Sequence, residues 1–306
     1  MRPFRQNVAI AIDGGGIKGT IVARALMILE DHLGQSAHNT FRLSAGTSTG
    51  SILSAGIATG LTAEQMHAMY EQLGQTIFRE TLRSRFWLLS KYRYPHDDLE
   101  NALHKAIGDP KMGDVWHADP ATDLIITVFD LQENRTRFIK SWKPEYQNWP
   151  VVKAVLASSS VPTYFPAVDD RYVDGGVGSF SNPAYIAAFD ARNALKWDPS
   201  ETTLISLGTG KYPAGLEPSQ VRDMWPWQWI GPTIGAFLQS ADNQQIHAAA
   251  RLFGDLDFRR FNVDLREPIE MDDASDMAKL TAYGDELGRK ILADDTEEPP
   301  VFLPLD

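Results

Sequence analysis

The chain has 306 residues, of which 43% are hydrophobic and 23% charged, a composition typical of a folded globular protein rather than a disordered one. It contains no cysteine, which excludes disulfides, thiolate metal sites and cysteine nucleophiles. The net charge of −11 provides no basic excess for binding DNA or RNA. Most of this charge lies in residues 264–306, where 13 acidic residues stand against four basic ones.

Predicted strands and helices alternate from the start of the chain. Residues 8–12 are apolar throughout, as in a parallel strand buried on both faces, and the apolar spacing of residues 20–33 predicts a helix. Further strands are predicted over 41–45, 123–129 and 203–207, and further helices over 62–74, 151–159 and 275–292. This alternation predicts an α/β fold with a mostly parallel sheet between helices. We expect one domain over 1–292 and a loose acidic tail over 293–306.

No segment predicts export or membrane insertion. The apolar run over 8–12 has five residues, fewer than the roughly 7–15 of a signal peptide's apolar region. No stretch approaches the ~20 apolar residues of a membrane-spanning helix. The seven histidines are scattered without the spacing of metal ligands. The sequence therefore predicts a soluble, cytoplasmic protein without a metal site.

A glycine-rich segment, Asp13-Gly-Gly-Gly-Ile-Lys-Gly19, joins the first predicted strand to the first helix. Consecutive glycines can direct several backbone N–H groups at one point, and the helix N-terminus adds its positive end. The segment could therefore hold a phosphate or the oxyanion of an acyl-transfer transition state. A tight turn that binds nothing is the third interpretation.

Two further motifs carry a serine and an aspartate. Gly46-Thr-Ser-Thr-Gly50 stands between a predicted strand and an apolar helix, the context in which the central serine of such a motif is a nucleophile. Asp174-Gly-Gly176 would hold a carboxylate on a tight turn, although an ordinary Asp-Gly turn is the alternative. Taken together, the motifs offer Ser48 as nucleophile, Asp174 as base and the amides of Gly14, Gly15 and Gly16 as oxyanion donors.

In this order, the three motifs resemble those of the patatin-like phospholipase family. Ala157-Ser-Ser-Ser-Val-Pro-Thr-Tyr-Phe-Pro166, Asn182-Pro183 and residues 205–210 resemble family segments as well. The resemblance implies a three-layer α/β/α sandwich with a mostly parallel central sheet. It implies hydrolysis of the fatty-acyl esters of membrane phospholipids, a phospholipase A reaction, through an acyl-enzyme and without a cofactor. Ser48 and Asp174 would form the dyad, Gly14, Gly15 and Gly16 the oxyanion hole, and Lys18 would fill the family's basic position.

Some compact bacterial members of the family are anti-phage effectors that cyclic nucleotides activate to degrade the cell's own membrane. Resemblance to these members implies a cyclic nucleotide as a candidate activator and action at the inner face of the membrane. Two stretches of the sequence could meet a membrane or line an acyl groove. Their candidate residues are Arg83, Arg85, Phe86 and Trp87 in the first stretch, and Trp225, Trp227 and Trp229 in the second.

Three alternatives remain open at this point. Asp13-Gly-Gly-Gly-Ile-Lys also resembles the phosphate loop of sugar kinases of the actin-like fold, although these usually carry Thr or Ser where Ile17 stands. A non-catalytic, lipid-binding relative would carry the same motifs. A Ser-His-Asp hydrolase would need a histidine after Asp174, and His247 is the one that qualifies. His247 lies in a helical-looking run, which favours a structural role.

Overall fold

The computed structural model describes residues 1–77, 91–212 and 218–299. Within them, seven strands form one sheet: β1 (Asn7–Ile12), β2 (Leu43–Gly46), β3 (Asp123–Asp130), β4 (Arg135–Lys140), β5 (Tyr172–Asp174), β6 (Thr202–Leu207) and β7 (Asp257–Phe261). The strand order is β4-β3-β2-β1-β6-β7, and β5 also pairs with β3. Five strands that are neighbours in this order, β3, β2, β1, β6 and β7, are parallel to one another. Strands β4 and β5 run antiparallel to β3. The predicted mostly parallel sheet is confirmed.

Helices cover both faces of this sheet. They are α1 (Gly19–Leu33), α2 (Ala37–Thr40), α3 (Thr49–Ala58), α4 (Ala63–Thr76), α5 (Asp97–Ile107), α6 (Met112–Trp116), α7 (Val151–Ser159), α8 (Ala184–Asn193), α9 (Pro218–Arg222), α10 (Ile230–Leu252) and α11 (Met277–Ala293). Alternate residues of β1 enter different cores. Ile10 and Ile12 join the larger core with α1, α3 and α7, whereas Ala9 and Ala11 join the smaller core with α8. Because both faces are covered, β1 is buried along its whole length.

Most predicted elements appear close to their expected bounds, and the second strand shows why one of them shifts. It begins at Leu43 rather than at the predicted Phe41. The Phe41 N–H donates to the Ala37 carbonyl at 2.9 Å and thereby closes the short helix α2. The helix predicted over 62–74 opens with a capping box, in which Thr62 and Gln65 exchange hydrogen bonds.

The parallel strands bring the three motifs to one edge of the sheet. The glycine segment follows β1 and the serine motif follows β2, so both lie at the carboxyl ends of neighbouring strands. Asp174 ends the antiparallel strand β5 and lies opposite Val128, near the carboxyl end of β3. Ligands bind at this edge in open α/β sheets because the loops after the strands converge there.

Part of the expected loose tail is fixed in place. The Glu297 N–H donates to the Arg260 carbonyl at 2.7 Å, and its carboxylate pairs with Lys211. A second oxygen of that carboxylate lies 3.7 Å from Arg260 Nε. Glu297 is therefore held by contacts with β7 and with the loop after β6, whereas a loose tail over 293–306 stays a prediction. No helix within the described residues is long and apolar enough to cross a bilayer.

Candidate active site

Ser48 occupies the sharp turn between β2 and α3. Its backbone dihedrals are φ 54° and ψ −126°, a combination that residues other than glycine rarely adopt. Strain of this kind costs about 1–3 kcal/mol and persists only where the surroundings hold it. The serine is buried and directly precedes the first turn of α3, whose N-terminus favours negative charge. The position suits a nucleophile that becomes part of a charged transition state.

Two glycines allow this turn to form. A Cβ on Gly46 would lie 2.1 Å from the Gly50 carbonyl oxygen, and a Cβ on Gly50 would lie 2.1 Å from the Ile12 carbonyl oxygen. Both distances are far shorter than van der Waals contact, so a larger residue at either position would force the strand end and the helix apart. The motif therefore brings Ser48 close to the end of β1, where the glycine segment begins.

Asp174 presents a buried carboxyl group to Ser48. Its Oδ1 accepts a 2.7 Å hydrogen bond from the Gly176 N–H. Its Oδ2 is buried and makes no hydrogen bond of good geometry within the described residues. Burial raises the pKa of Asp174 to about 6, and the Gly176 amide and the Ser48 hydroxyl oppose this rise. The carboxylate is therefore a stronger base than an exposed aspartate, with one oxygen left to take a proton.

The amides of the glycine segment are not equivalent. The Gly14 N–H donates to the Ser181 carbonyl at 2.9 Å, so it is engaged. The amides of Gly15 and Gly16 have no acceptor within the described residues. A Cβ on Gly14 would lie 3.3 Å from Ser48 Cβ, which places the segment directly against the nucleophile. Of the three expected oxyanion donors, Gly14 already donates to the backbone, so Gly15 and Gly16 stay the candidates.

Two other segments hold the glycine segment in place. Thr209, after β6, donates its hydroxyl to the Gly14 carbonyl at 2.7 Å. The Met271 carbonyl accepts the Ile17 N–H at 2.8 Å. Gly16 has φ 62°, and a Cβ there would lie 2.1 Å from that Met271 oxygen. The amide directions of the segment are therefore fixed before a substrate arrives, as oxyanion stabilisation requires.

Lys18 contacts the segment that carries Met271. Its Nζ donates to the Ile269 carbonyl at 3.2 Å. Burial lowers the pKa of Lys18, and the nearby Glu270 opposes that shift. This contact gives Lys18 a structural role, and a contact with substrate stays a prediction.

An apolar pocket, partly open to solvent, adjoins Ser48. Helices α3, α4 and α5 and the segment after α7 line it, through Ile52, Leu73, Ile77, Leu99, Val161 and Phe165. Such a lining suits a hydrocarbon chain, because burying each CH₂ group contributes about 0.8 kcal/mol. The nucleophile therefore opens onto a space that suits the acyl part of an ester.

Two histidines bear on whether a histidine takes part at this site. His247 lies on α10, in agreement with its helical pattern. His96, just before α5, has its Nε2 3.0 Å from Ser160 Oγ, and its ring stacks on Phe165 of the pocket. Burial lowers the pKa of His96. Sequence reasoning missed His96 because only the tertiary packing of α5 against α7 brings it to the site.

The candidate membrane residues are only partly described. Arg83, Arg85, Phe86 and Trp87 lie outside the described residues, and so does the side chain of Trp227. Trp225 is 62% exposed and Trp229 is 44% exposed. No group of three or more His, Asp or Glu side chains within the described ranges could hold a metal ion.

Comparison with known proteins places these motifs in one family. A family model described as patatin-like phospholipase matches residues 10–188, which is more than half of the chain and includes all three motifs. An intracellular phospholipase A2 of Caenorhabditis elegans is 29% identical over 96% of this chain, which spans only 30% of that protein's length. Two bacterial relatives are more similar in size. A cGAMP-activated phospholipase of Pseudomonas aeruginosa is 26% identical, over 80% of this chain and 75% of its own. A cUMP-AMP-activated phospholipase of Escherichia coli is 29% identical, over 76% of this chain and 75% of its own.

Proposed function

The chain belongs to the patatin-like phospholipase family, and we propose that it is a serine-dependent lipid acyl hydrolase of the phospholipase A type. The observation that carries this proposal is the position of Ser48 between the Asp174 carboxylate and the glycine segment, beside an apolar pocket. A nucleophile, a base, oxyanion donors and space for an acyl chain are the parts that ester hydrolysis through an acyl-enzyme needs.

The reaction begins when the Ser48 hydroxyl gives its proton to Asp174 and its oxygen attacks the ester carbonyl carbon. The amides of Gly15 and Gly16 donate to the resulting oxyanion. Collapse of the intermediate breaks the ester bond, and Asp174 returns the proton to the leaving alcohol of the lysolipid. Water then attacks the acyl-enzyme while Asp174 takes its proton. The fatty acid leaves, and Ser48 recovers its hydroxyl proton.

Two alternatives fit the site less well. A sugar kinase would use the glycine segment for phosphate, but here the segment lies against Ser48 and an apolar pocket. A non-catalytic lipid-binding protein has no use for a strained, buried serine next to a carboxylate whose pKa is raised. Strained residues and perturbed pKa values cluster at catalytic sites.

A cyclic nucleotide as activator is a second part of the proposal. It is supported by the two bacterial relatives whose names describe activation by cGAMP and by cUMP-AMP. An ungated lipid hydrolase would also attack the membranes of its own cell. The protein would then act at the inner face of the membrane in anti-phage defence. Hydrolysis measured with a panel of cyclic di- and trinucleotides tests this, and equal rates with and without every nucleotide would contradict it.

Fatty-acid release from phospholipid liposomes tests the hydrolase proposal. Wild type is compared with Ser48→Ala and Asp174→Asn, each with and without the nucleotide panel. The matched controls are Ser54→Ala, a buried serine of α3, and Asp123→Asn, a half-buried aspartate at the start of β3 whose pKa is also raised to about 6. Release by wild type and by both controls, but by neither dyad variant, is expected. Unchanged release by Ser48→Ala would overturn the proposal.

A further inference from the structure

Three consecutive serines at the end of α7, Ser158, Ser159 and Ser160, contact both members of the dyad. All three are buried. The Ser48 N–H donates to Ser158 Oγ at 2.9 Å. Ser159 Oγ donates to the Ser48 carbonyl at 3.4 Å, and Ser159 also lines the apolar pocket. The Asp174 N–H donates to the Ser160 carbonyl at 3.1 Å.

We propose that these three serines position the dyad. Ser158 holds the strained backbone of Ser48, and the Ser160 carbonyl holds the backbone of Asp174 next to it. The inference rests on the proposed hydrolase function and concerns the same site. Ser48 has φ 54°, which its own side chain disfavours, so a neighbour must stabilise the turn. Ser158 does this by accepting the hydrogen bond of the Ser48 N–H.

The hydrogen bond to Ser158 also keeps Ser48 in position relative to the proposed oxyanion donors. The Ser48 N–H would otherwise be a buried donor without a partner, at a cost of about 1–3 kcal/mol. A turn that relaxed to find another acceptor would move Ser48 relative to Gly15 and Gly16. Because reacting atoms must meet within a narrow range, a displacement of about 1 Å can reduce the rate about a hundredfold.

The third serine extends the contacts to α5. Ser160 Oγ donates to the Leu156 carbonyl at 2.7 Å, one turn back in α7, and lies 3.0 Å from His96 Nε2. His96 in turn stacks on Phe165, with ring centroids 5.8 Å apart. The end of α7, and with it the backbone of Asp174, is therefore fixed from the pocket side.

The test compares Ser158→Ala with wild type and with Ser54→Ala. Ser54 is a buried serine whose hydroxyl has no hydrogen-bond partner within the described residues, so it controls for loss of a buried hydroxyl alone. The readouts are kcat and KM on a soluble short-chain ester and the rate of labelling of Ser48 by a fluorophosphonate. Ser158→Ala should lower kcat and the labelling rate by about tenfold to a hundredfold, with KM within about twofold of wild type. Ser54→Ala should change neither.

A further variant, Ser158→Cys, keeps the volume of the side chain and replaces the hydroxyl by a weaker acceptor, so its kcat should fall between wild type and Ser158→Ala. Equal kcat in wild type and in a folded Ser158→Ala would overturn the inference. Failure of both Ser158 variants to fold would overturn it too, because the hydroxyl would then act in folding instead. A wild type that neither hydrolyses esters nor reacts with the fluorophosphonate, with or without the panel of cyclic nucleotides, would refute the hydrolase proposal itself, a result distinct from either of these.

Discussion

Asp13 and Arg260 form a buried, bidentate ion pair at the base of the glycine segment. Arg260 Nη1 lies 3.0 Å from Asp13 Oδ1 and Nη2 lies 2.5 Å from Oδ2, while Nη1 also donates to Ser206 Oγ at 2.9 Å. Arg260 thus reaches from β7 across β6 to the residue that follows β1. Because Asp13 directly precedes Gly14, this pair fixes the start of the segment that carries the proposed oxyanion donors.

Removing the carboxylate of this pair should impair both stability and catalysis. Asp13→Asn removes the bidentate partner of the buried guanidinium and leaves it only the Glu297 carboxylate, 3.7 Å from Nε, among its ion pairs in the described residues; breaking a buried pair in this way costs about 3–5 kcal/mol. The matched control is Asp257→Asn, at the opposite end of β7 from Arg260. It takes a carboxylate from Arg259, the buried residue next to Arg260. Urea unfolding should show a loss in both variants. The kcat of the folded protein should fall only in Asp13→Asn, and an equal fall in both would contradict a specific role for the Asp13 pair.

The pH dependence of hydrolysis should follow Asp174. The base acts as a carboxylate, and burial raises its pKa to about 6, so kcat/KM should rise with pH and reach half its plateau near pH 6. A second carboxyl nearby, Asp242, accepts a hydrogen bond from Ser181 and has its pKa raised to about 7, chiefly by burial. Asp242→Asn should therefore retain the half-point near pH 6. Movement of the half-point in that variant, or a wild-type half-point near pH 4, would contradict the assignment.

The same raised pKa has a consequence for stability. The folded state holds the Asp174 proton more tightly than the unfolded state, whose aspartate has a pKa of about 3.9, so ionisation destabilises the fold. The destabilisation is absent below about pH 4 and complete above about pH 6. Asp174→Asn, which cannot ionise, should therefore gain on the order of 3 kcal/mol relative to wild type as the pH rises through this window.

Thermal and urea unfolding at pH 4 and pH 8 would measure this difference. Asp123→Asn should show a gain of the same sign, because the pKa of Asp123 is also raised to about 6 by burial. Only Asp174→Asn should lose activity. An inactive Asp174→Asn that is less stable than wild type at pH 8 would mean that its inactivity reflects damage to the fold.

A comparison of two glycines separates backbone strain from disruption of the oxyanion site. Gly16 and Gly34 both have positive φ, 62° and 67°, so alanine at either position should cost about 1 kcal/mol in conformational strain. A Cβ on Gly34 meets nothing within 4 Å, whereas one on Gly16 would lie 2.1 Å from the Met271 carbonyl oxygen. Gly34→Ala should therefore keep its kcat, and Gly16→Ala should lose about a hundredfold or more, as expected when oxyanion donors are displaced. Similar kcat values in the two variants would argue against Gly16 as a donor.

The exposed tryptophans should act on membranes rather than on the chemistry. Trp225 and Trp229 are 62% and 44% exposed, and tryptophan favours the headgroup depth of a bilayer. Replacing both by alanine should weaken sedimentation with liposomes and leave hydrolysis of a soluble ester unchanged. Trp116→Ala, which removes a 37% exposed tryptophan of α6, is the control. Liposome binding that the double variant does not reduce would exclude this surface as the membrane contact.

The sequence predicted the mostly parallel sheet and singled out Ser48 and Asp174, because both inferences depend on local patterns; the role of the two residues as a dyad stays a prediction. The apolar run of β1, for example, requires a strand that is buried on both faces. The glycines around Ser48 indicate a tight turn that larger residues cannot form. What it did not predict depends on tertiary contacts. The engagement of the Gly14 amide by Ser181 and the approach of His96 to Ser160 join residues far apart in the chain, and nothing in their local sequence signals them.

The most direct test of the central claim is to trap the acyl-enzyme. The protein is mixed with phospholipid liposomes, with and without the panel of cyclic nucleotides, quenched with acid within the first turnovers, digested and analysed by mass spectrometry. An acyl ester should appear on Ser48, and it should be absent from Ser48→Ala and strongly reduced in Asp174→Asn. Fatty-acid release accompanied by an acyl group on another residue would contradict Ser48 as the nucleophile. Release without a detectable acyl-enzyme at any quench time would contradict it as well.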